Sequence, residues 1–169
     1  TVTGVQTCAL PIWFDEKKRR RNMIDFSDME QFALAILTRN TEGKIVPSAV
    51  AEEYQERFAE VMVDEYQDSN LVQETILTSV SGMSKGRNNM FMVGDVKQSI
   101  YRFRLSRPEL FMEKYDTYSV ESSPCQRIDL HKNFRSRKEV LDSTNYLFEK
   151  LMFREFGGIE YDENAAAFH

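Results

Sequence analysis

Two adjacent carboxylates end a short apolar run in the middle of the chain. Asp64 and Glu65 directly follow the run Val61–Val63, which predicts a buried β-strand. Such a pair can share the work of one reaction, in which one carboxylate holds a hydrated Mg²⁺ on a nucleotide and its neighbour polarises an attacking water. Alternation along a strand lets the two side chains face opposite ways. Taken alone, the pair leaves another interpretation open, in which both acids are solvated or cap the next helix.

A second apolar run, Met90–Val93, ends in Gly94 and Asp95 and leads into a loop that mixes aromatic and basic residues. Rings that stack on bases, beside guanidinium groups that meet phosphates, are typical of single-stranded nucleic acid binding. Tyr101 and Phe103 are the candidate stacking residues. The spacing equally allows both rings to lie in the core of a strand while the basic residues are solvated. The bases of this loop are Lys97, Arg102, Arg104 and Arg107.

Charge is distributed unevenly along the 169 residues, whose formal net charge is −5 at pH 7. That net charge disfavours a protein that binds nucleic acid with its whole surface. Segment Pro47–Asp68 carries seven acids and one base, and it repels phosphate unless a cation intervenes. Segment Lys97–Lys138 carries ten bases and five acids, which is the sign that a polyanionic partner requires.

The elements that position these residues follow from the apolar pattern. Strands alternating with helices predict an α/β fold with a parallel sheet, and ligands of such sheets bind outside the carboxyl ends of the strands. The first helix is expected to begin with a capping box formed by Ser27 and Glu30, and the second to open at Pro47. The predicted helices are Ser27–Arg39, Pro47–Phe58, Ser69–Val80 and Ser136–Phe153, and the predicted strands are Val61–Val63, Met90–Val93 and Gln126–Leu130.

Composition excludes several classes of protein. The longest apolar runs, Cys8–Phe14 and Phe32–Leu37, fall far short of the roughly 20 residues that span a bilayer, so we expect a soluble protein without a membrane partner. Cys8 and Cys125 can build neither a disulfide framework nor a metal site, which favours the cytoplasm. Thr1–Phe14 has neither helical nor strand period and looks like a translated sequencing adapter; we interpret residues 1–14 as non-native.

Three strings, taken together in their order and spacing, resemble motifs II, III and IV of the superfamily 1 DNA helicases related to UvrD and Rep. They are DEYQDSN at Asp64–Asn70, VGDVKQSIYRFR at Val93–Arg104 and LHKNFRS at Leu130–Ser136. Two further strings look more like the AddA family of helicase-nuclease subunits, which act in bacterial double-strand-break repair, than like UvrD. These are RFRLSRPELF at Arg102–Phe111 and IDFSDMEQFAL at Ile24–Leu34, and the resemblance covers roughly Asp15–Phe156.

This resemblance implies a RecA-like P-loop NTPase fold, ATP as substrate and Mg²⁺ as cofactor. Asp64 would hold the Mg²⁺, and Glu65 would act as the general base for the attacking water. Gln98 would sense the γ-phosphate and link it to the grip on DNA. Arg135 would contact the γ-phosphate from the second motor domain.

The resemblance also implies a DNA-binding role for the aromatic loop. Tyr101 and Phe103 would stack on bases of the tracking strand, and Arg104 matches the arginine that closes this motif. Relatives continue with Gly-Ala, whereas this chain has Leu105 and Ser106. The implied partners are single-stranded and double-stranded DNA and a second, AddB-like helicase-nuclease subunit.

Parts of the family pattern are missing from the chain. It contains no G-x-x-x-x-G-K-[ST] string, no motif V or VI and no recognisable nuclease domain. We therefore expect an interior fragment of a larger ATP-dependent DNA helicase/nuclease subunit, with residues 15–120 from the first RecA-like motor domain and 121–169 from the start of the second. Alone it should not hydrolyse ATP efficiently.

Two other classes of function remain open. One is a non-catalytic module that keeps the helicase-like fold for nucleic-acid binding or as a scaffold. The other is an unrelated Mg²⁺-dependent nuclease that uses Asp64 and Glu65, which is disfavoured because no further acids stand at suitable places.

Overall fold

The computed structural model of the chain describes residues 5–101, 103, 105–153, 160–163 and 165–168, with side chains described from residue 11 onward. In these ranges the α-helices are α1 (Val5–Arg20), α2 (Phe26–Leu37), α3 (Ala49–Arg57), α4 (Leu71–Val80), α5 (Pro108–Thr117) and α6 (Lys138–Leu151). The strands are β1 (Thr38–Thr41), β2 (Lys44–Pro47), β3 (Val61–Val63) and β4 (Met90–Met92), and short 3₁₀ turns cover Tyr66–Asp68, Gly82–Lys85 and Val96–Gln98. None of the described helices combines the length and apolar character needed to cross a bilayer.

The chain divides into two compact units, and the first takes its described residues from Thr1–Met62 and Asn70–Phe91. In this unit α2, α3 and α4 pack against one another. Gln55 of α3 is fully buried there, and its amide Nε2 donates to the carbonyl of Ser79 at 2.8 Å and to Ser84 Oγ at 3.2 Å. Buried amides need such partners, because an unpaired polar group inside a protein costs free energy.

Helix α2 begins one residue before the predicted start, at Phe26, and its capping box differs from the predicted one. Asp25 Oδ1 accepts from Asp28 N at 2.9 Å, and Asp28 Oδ2 accepts from Asp25 N at 2.9 Å. The prediction of Ser27 and Glu30 as the box is wrong because Asp25 has the extended backbone that an N-cap requires. Lys18 Nζ lies 2.6 Å from Asp28 Oδ1 and 3.2 Å from Asp25 Oδ2 and binds both carboxylates of this cap.

Helix α3 does not open at Pro47, which instead ends strand β2. Ser48 is the N-cap, and its hydroxyl accepts from Ala51 N at 3.2 Å. Strands β1 and β2 form an antiparallel hairpin that we did not predict. Its two loop residues, Glu42 and Gly43, both have positive φ (53° and 81°), as the tightest hairpin turns require.

Strands β3 and β4 form a two-stranded parallel sheet, as predicted for both runs. Val61 N donates to the carbonyl of Asn89 at 2.8 Å, and Val93 N donates to the carbonyl of Val63 at 2.8 Å. The fold class is therefore mixed helix and sheet with a small parallel sheet. The third predicted strand, Gln126–Leu130, is wrong: only an isolated bridge between Ser119 and Gln126 forms there, because no neighbouring strand in the described ranges extends the pairing.

The second unit takes its described residues from Val63–Ser69 and Met92–His169. Helix α5 packs against the two 3₁₀ turns at Tyr66–Asp68 and Val96–Gln98. Tyr66 is fully buried, with its ring centroid 6.4 Å from that of Phe111 and 5.0 Å from Lys114 Nζ. This aromatic core therefore holds the turn that follows β3 against α5.

We expect Asp25→Ala to destabilise the 169-residue chain by roughly 0.5–2 kcal/mol, the usual cost of losing an N-cap side chain. Ser27→Ala is the matched control, since Ser27 is exposed and does not cap α2. Denaturant unfolding of both variants measures the difference. An equal or larger loss for Ser27→Ala would contradict the observed capping box.

Candidate functional site

The adjacent acids lie at the carboxyl end of β3, and both are exposed. Asp64 Oδ1 accepts from Glu65 N at 2.9 Å. Glu65 has a left-handed backbone, with φ 49° and ψ 41°, which a non-glycine residue adopts at a cost of roughly 1–3 kcal/mol. This conformation turns the chain sharply from the strand into the 3₁₀ turn Tyr66–Asp68.

A buried glutamine connects this turn to the end of β4. Gln67 is 1% exposed; its Nε2 donates to Glu65 Oε2 at 2.6 Å, and its Oε1 accepts from Asp95 N at 2.9 Å. Gly94 permits the approach, since a Cβ there would stand 2.6 Å from Gln67 Oε1. The glycine is needed for space rather than for an unusual backbone angle.

Asp95 gathers the side chains of the second turn. Its carboxylate lies 2.9 Å from Lys97 Nζ and accepts from Gln98 Nε2 at 3.1 Å and from Lys97 N at 3.1 Å. Burial by itself raises the pKa of Asp95, but the hydrogen bonds from Lys97 and Gln98 and the lysine charge outweigh it, and the pKa lies below its ordinary value. Asp95 is therefore held as a carboxylate that fixes the Gln98 side chain.

Asp68 adds a second carboxyl group near Glu65. Burial, and then the charge of Glu65, raises the pKa of Asp68 above its ordinary value. Its Oδ1 is buried and accepts no hydrogen bond from the described residues. Negative charge thus accumulates on this turn, which suits a cation or a donor group arriving from outside.

The two candidate stacking rings are both accessible. Phe103 is 75% exposed and Tyr101 37% exposed, and their ring centroids lie 5.9 Å apart with a 51° angle between planes. The alternative in which they fill the core of a strand is not what the chain adopts. Arg104, the third candidate DNA-binding residue, lies outside the described residues.

The structure brings together some of the predicted site residues but not all. Hydrogen bonds run from Glu65 through Gln67 to Asp95 and on to Gln98. Arg135 is exposed and stands apart from this series of bonds; its backbone N–H donates to Asn133 Oδ1 at 2.9 Å.

A Mg²⁺ bound with a nucleotide fits the donors at this turn. Among the described residues no three His, Cys, Asp or Glu side chains converge as a metal site. Mg²⁺ commonly takes only one or two protein carboxylates, with phosphates and waters completing its shell. The exposed Asp64, with one oxygen engaged by Glu65 N, supplies such a ligand.

Sequence reasoning assigned no role to Gln67 or Asp95, although both stand within the quoted motifs. The available signal was Gly94, because a glycine at a strand end often marks a close approach of another group. Which group approaches could not be read from spacing, since Gln67 and Gly94 are 27 positions apart.

Comparison with known proteins adds independent information. The profile of the UvrD/REP helicase N-terminal domain matches residues 11–119. A protein of Lachnoclostridium phytofermentans, named as the AddA subunit of an ATP-dependent helicase/nuclease, is 58% identical over 154 residues, 91% of this chain and 11% of its own length. Proteins of the same name from Acetivibrio thermocellus and Bacillus velezensis are each 54% identical over 155 residues, 90% of this chain and 12% and 13% of theirs. The chain thus spans about an eighth of the length of these relatives.

We expect the stability of the chain to fall more steeply with acid than that of Asp95→Asn. Folding lowers the pKa of Asp95, so its contribution is present above the unfolded value near 3.9 and is lost as pH drops through the folded value. Thermal unfolding between about pH 6 and 2.5 measures both slopes. Lys97→Met should reduce the difference, and parallel profiles for the chain and Asp95→Asn would refute it.

Proposed function

Because the chain belongs to the UvrD/REP helicase N-terminal domain family, we propose that it is part of the ATP-driven motor of a DNA helicase/nuclease subunit. Family membership implies the RecA-like fold of helicases. The names of the relatives describe an ATP-dependent helicase/nuclease, and we extend that activity to the protein in which this segment works. Its place is the cytoplasm, in the repair of DNA double-strand breaks.

The observation that carries this proposal is the bonded series that begins at the β3 carboxylates and ends at the aromatic loop. Glu65 is connected through Gln67 and Asp95 to Gln98, and Tyr101 follows three residues later. A motor needs such a connection, since a chemical event at the nucleotide must change contacts made with the strand.

The roles of the nucleotide-side residues follow from their exposure and chemistry. Asp64 would hold Mg²⁺, which neutralises phosphate charge when bound. Glu65, whose carboxylate is exposed and fixed by Gln67, would accept the proton of the attacking water. Gln98 would read the γ-phosphate, and the exposed Arg135 would reach the same phosphate as a cation from the second motor domain. In this division residues 15–120 belong to the first motor domain and 121–169 to the second.

The DNA-side residues have different chemistry. The rings of Tyr101 and Phe103 offer faces to which unpaired bases of any sequence can bind. Arg104 is placed here by resemblance to the family motif. Single-stranded DNA is the tracked ligand in this proposal, duplex DNA the substrate that is opened, and an AddB-like subunit the partner.

A chimaeric subunit makes these roles testable. In it, the 154 aligned residues of the Lachnoclostridium phytofermentans protein are replaced by those of this chain. DNA-stimulated ATP hydrolysis by this chimaeric subunit is the first requirement. A chimaera that folds and binds DNA without turnover would instead support the non-catalytic module.

Glu65→Gln should lower kcat of the chimaeric subunit on the order of 10²–10⁴-fold while leaving Mg·ATP binding nearly intact, because the amide cannot accept the proton. Steady-state hydrolysis and nucleotide binding at equilibrium measure the two effects. Glu60→Gln, an exposed acid ahead of β3, is the control and should change neither. Equal losses of binding and turnover in Glu65→Gln would show that Glu65 is structural.

Phe103→Ala should weaken binding of single-stranded DNA about 5- to 150-fold, since stacking is worth roughly 1–3 kcal/mol per base. Fluorescence anisotropy with a labelled oligonucleotide measures the affinity, and thermal unfolding is recorded beside it. Tyr146→Ala removes another exposed ring, 64% accessible on α6, and should leave the affinity unchanged. A large loss of melting temperature with unchanged affinity in Phe103→Ala would place the ring in the core.

A further inference from the structure

We propose that Gln67 is a positioning residue for ATP hydrolysis: its buried side-chain amide orients the Glu65 carboxylate and ties it to the backbone N–H of Asp95. This inference rests on the proposed role of Glu65 as general base. Gln67 itself touches neither nucleotide nor water in this assignment and acts only through Glu65.

Glu65 needs an external constraint because its side chain is exposed. Its carboxylate lies at the end of a flexible stem that would otherwise sample many rotamers. The 2.6 Å bond from Gln67 Nε2 to Glu65 Oε2 is short, as expected for a bond to a charged acceptor, and leaves the other carboxylate oxygen available. A general base works only when its oxygen is held within reach of the proton that it removes.

Gln67 can impose this constraint because its own amide is fixed at both ends. Its Oε1 accepts from Asp95 N at 2.9 Å, and a backbone N–H can only donate. The NH₂ group must therefore face Glu65, and the amide has a single compatible orientation. The absent side chain of Gly94 admits the oxygen, and the 1% exposure of Gln67 excludes water that could compete for these bonds.

The same amide makes the position of Glu65 depend on the second turn. Asp95 supplies the N–H that holds Gln67, and its carboxylate accepts from Gln98 Nε2 at 3.1 Å. A displacement of Gln98 would therefore move the peptide that anchors Gln67. The orientation of the proposed base thus senses the loop that carries the aromatic pair.

The chain offers a matched comparison for a purely structural role. Gln55 is the other fully buried glutamine among the described residues, and its amide donates to Ser79 and Ser84 in the first unit. Both glutamines satisfy buried polar groups, but only Gln67 contacts a carboxylate of the candidate site. Loss of either amide should cost similar stability, whereas only the loss of Gln67 should change catalysis.

The test compares Gln67→Met with Gln55→Met in the chimaeric subunit. Because the base remains but loses its orientation, we expect kcat of Gln67→Met to fall about 10- to 100-fold, within the range of general-base contributions. The KM for ATP should stay within about twofold, since the Mg²⁺ ligand is untouched. Gln55→Met should match its loss of melting temperature while keeping kcat. Equal kcat values for the two variants, or parallel changes of kcat and KM in Gln67→Met, would overturn the proposal.

A second pair of variants tests the contact itself and serves if Gln67→Met does not fold. Gln67→Glu keeps an acceptor for Asp95 N but sets two carboxylates against each other, so both melting temperature and kcat should fall. The double variant Glu65→Gln with Gln67→Glu exchanges amide and carboxylate. It should recover the melting temperature but not kcat, and failure to recover it would refute the contact.

Glu65→Gln alone separates the two proposals. If it abolishes turnover while Gln67→Met leaves kcat unchanged, the positioning role fails and the general base stands. If Glu65→Gln retains full kcat, the proposed role of Glu65 fails, and the inference drawn from it fails with it.

Discussion

The parallel pairing of β3 with β4 is the constraint on which the described site depends. Parallel strands run the same way, so the segments that follow them leave the same edge of the sheet. The pairing continues beyond the strands themselves, because Tyr66 N donates to the carbonyl of Val93 at 2.9 Å. Two polar turns, one after each strand, are thereby held close enough for a single glutamine side chain to bridge them.

Charge compensation explains why this edge contains amides and a lysine as well as acids. The carboxylates of Glu65, Asp68 and Asp95 repel one another and lose solvation where they are partly buried. Lys97 and Gln98 stabilise the charge of Asp95, and Gln67 donates to Glu65. In the described part of the chain Asp68 has no such donor for its buried oxygen, and its pKa is the one that is raised.

Hydrophobic support comes from behind the turn rather than from the sheet, whose two strands are only three residues each. The ring of Tyr66 is buried against Phe111 of α5, which also lies within 3.0 Å of where a Gly94 Cβ would stand. Glu65 and Gln67 flank this anchored ring in sequence. A left-handed residue and a buried amide can persist there because aromatic packing over-determines the path of the backbone.

The amino-acid sequence by itself determined the elements with strong local signals and the residues of the motifs. The apolar runs of β3 and β4, the carboxylates after β3 and the long helices α4 and α6 could all be read from periodicity, because they depend on residues adjacent in the chain. Helix starts were less accessible: Asp25 and Ser27 are both good caps, and only the backbone conformation selects Asp25. The tertiary structure alone decided that Gln67 would meet Asp95 across Gly94, and that Phe103 would be exposed rather than buried. Those outcomes depend on which strands pair and on what packs over them, and a single sequence does not record contacts between residues so far apart.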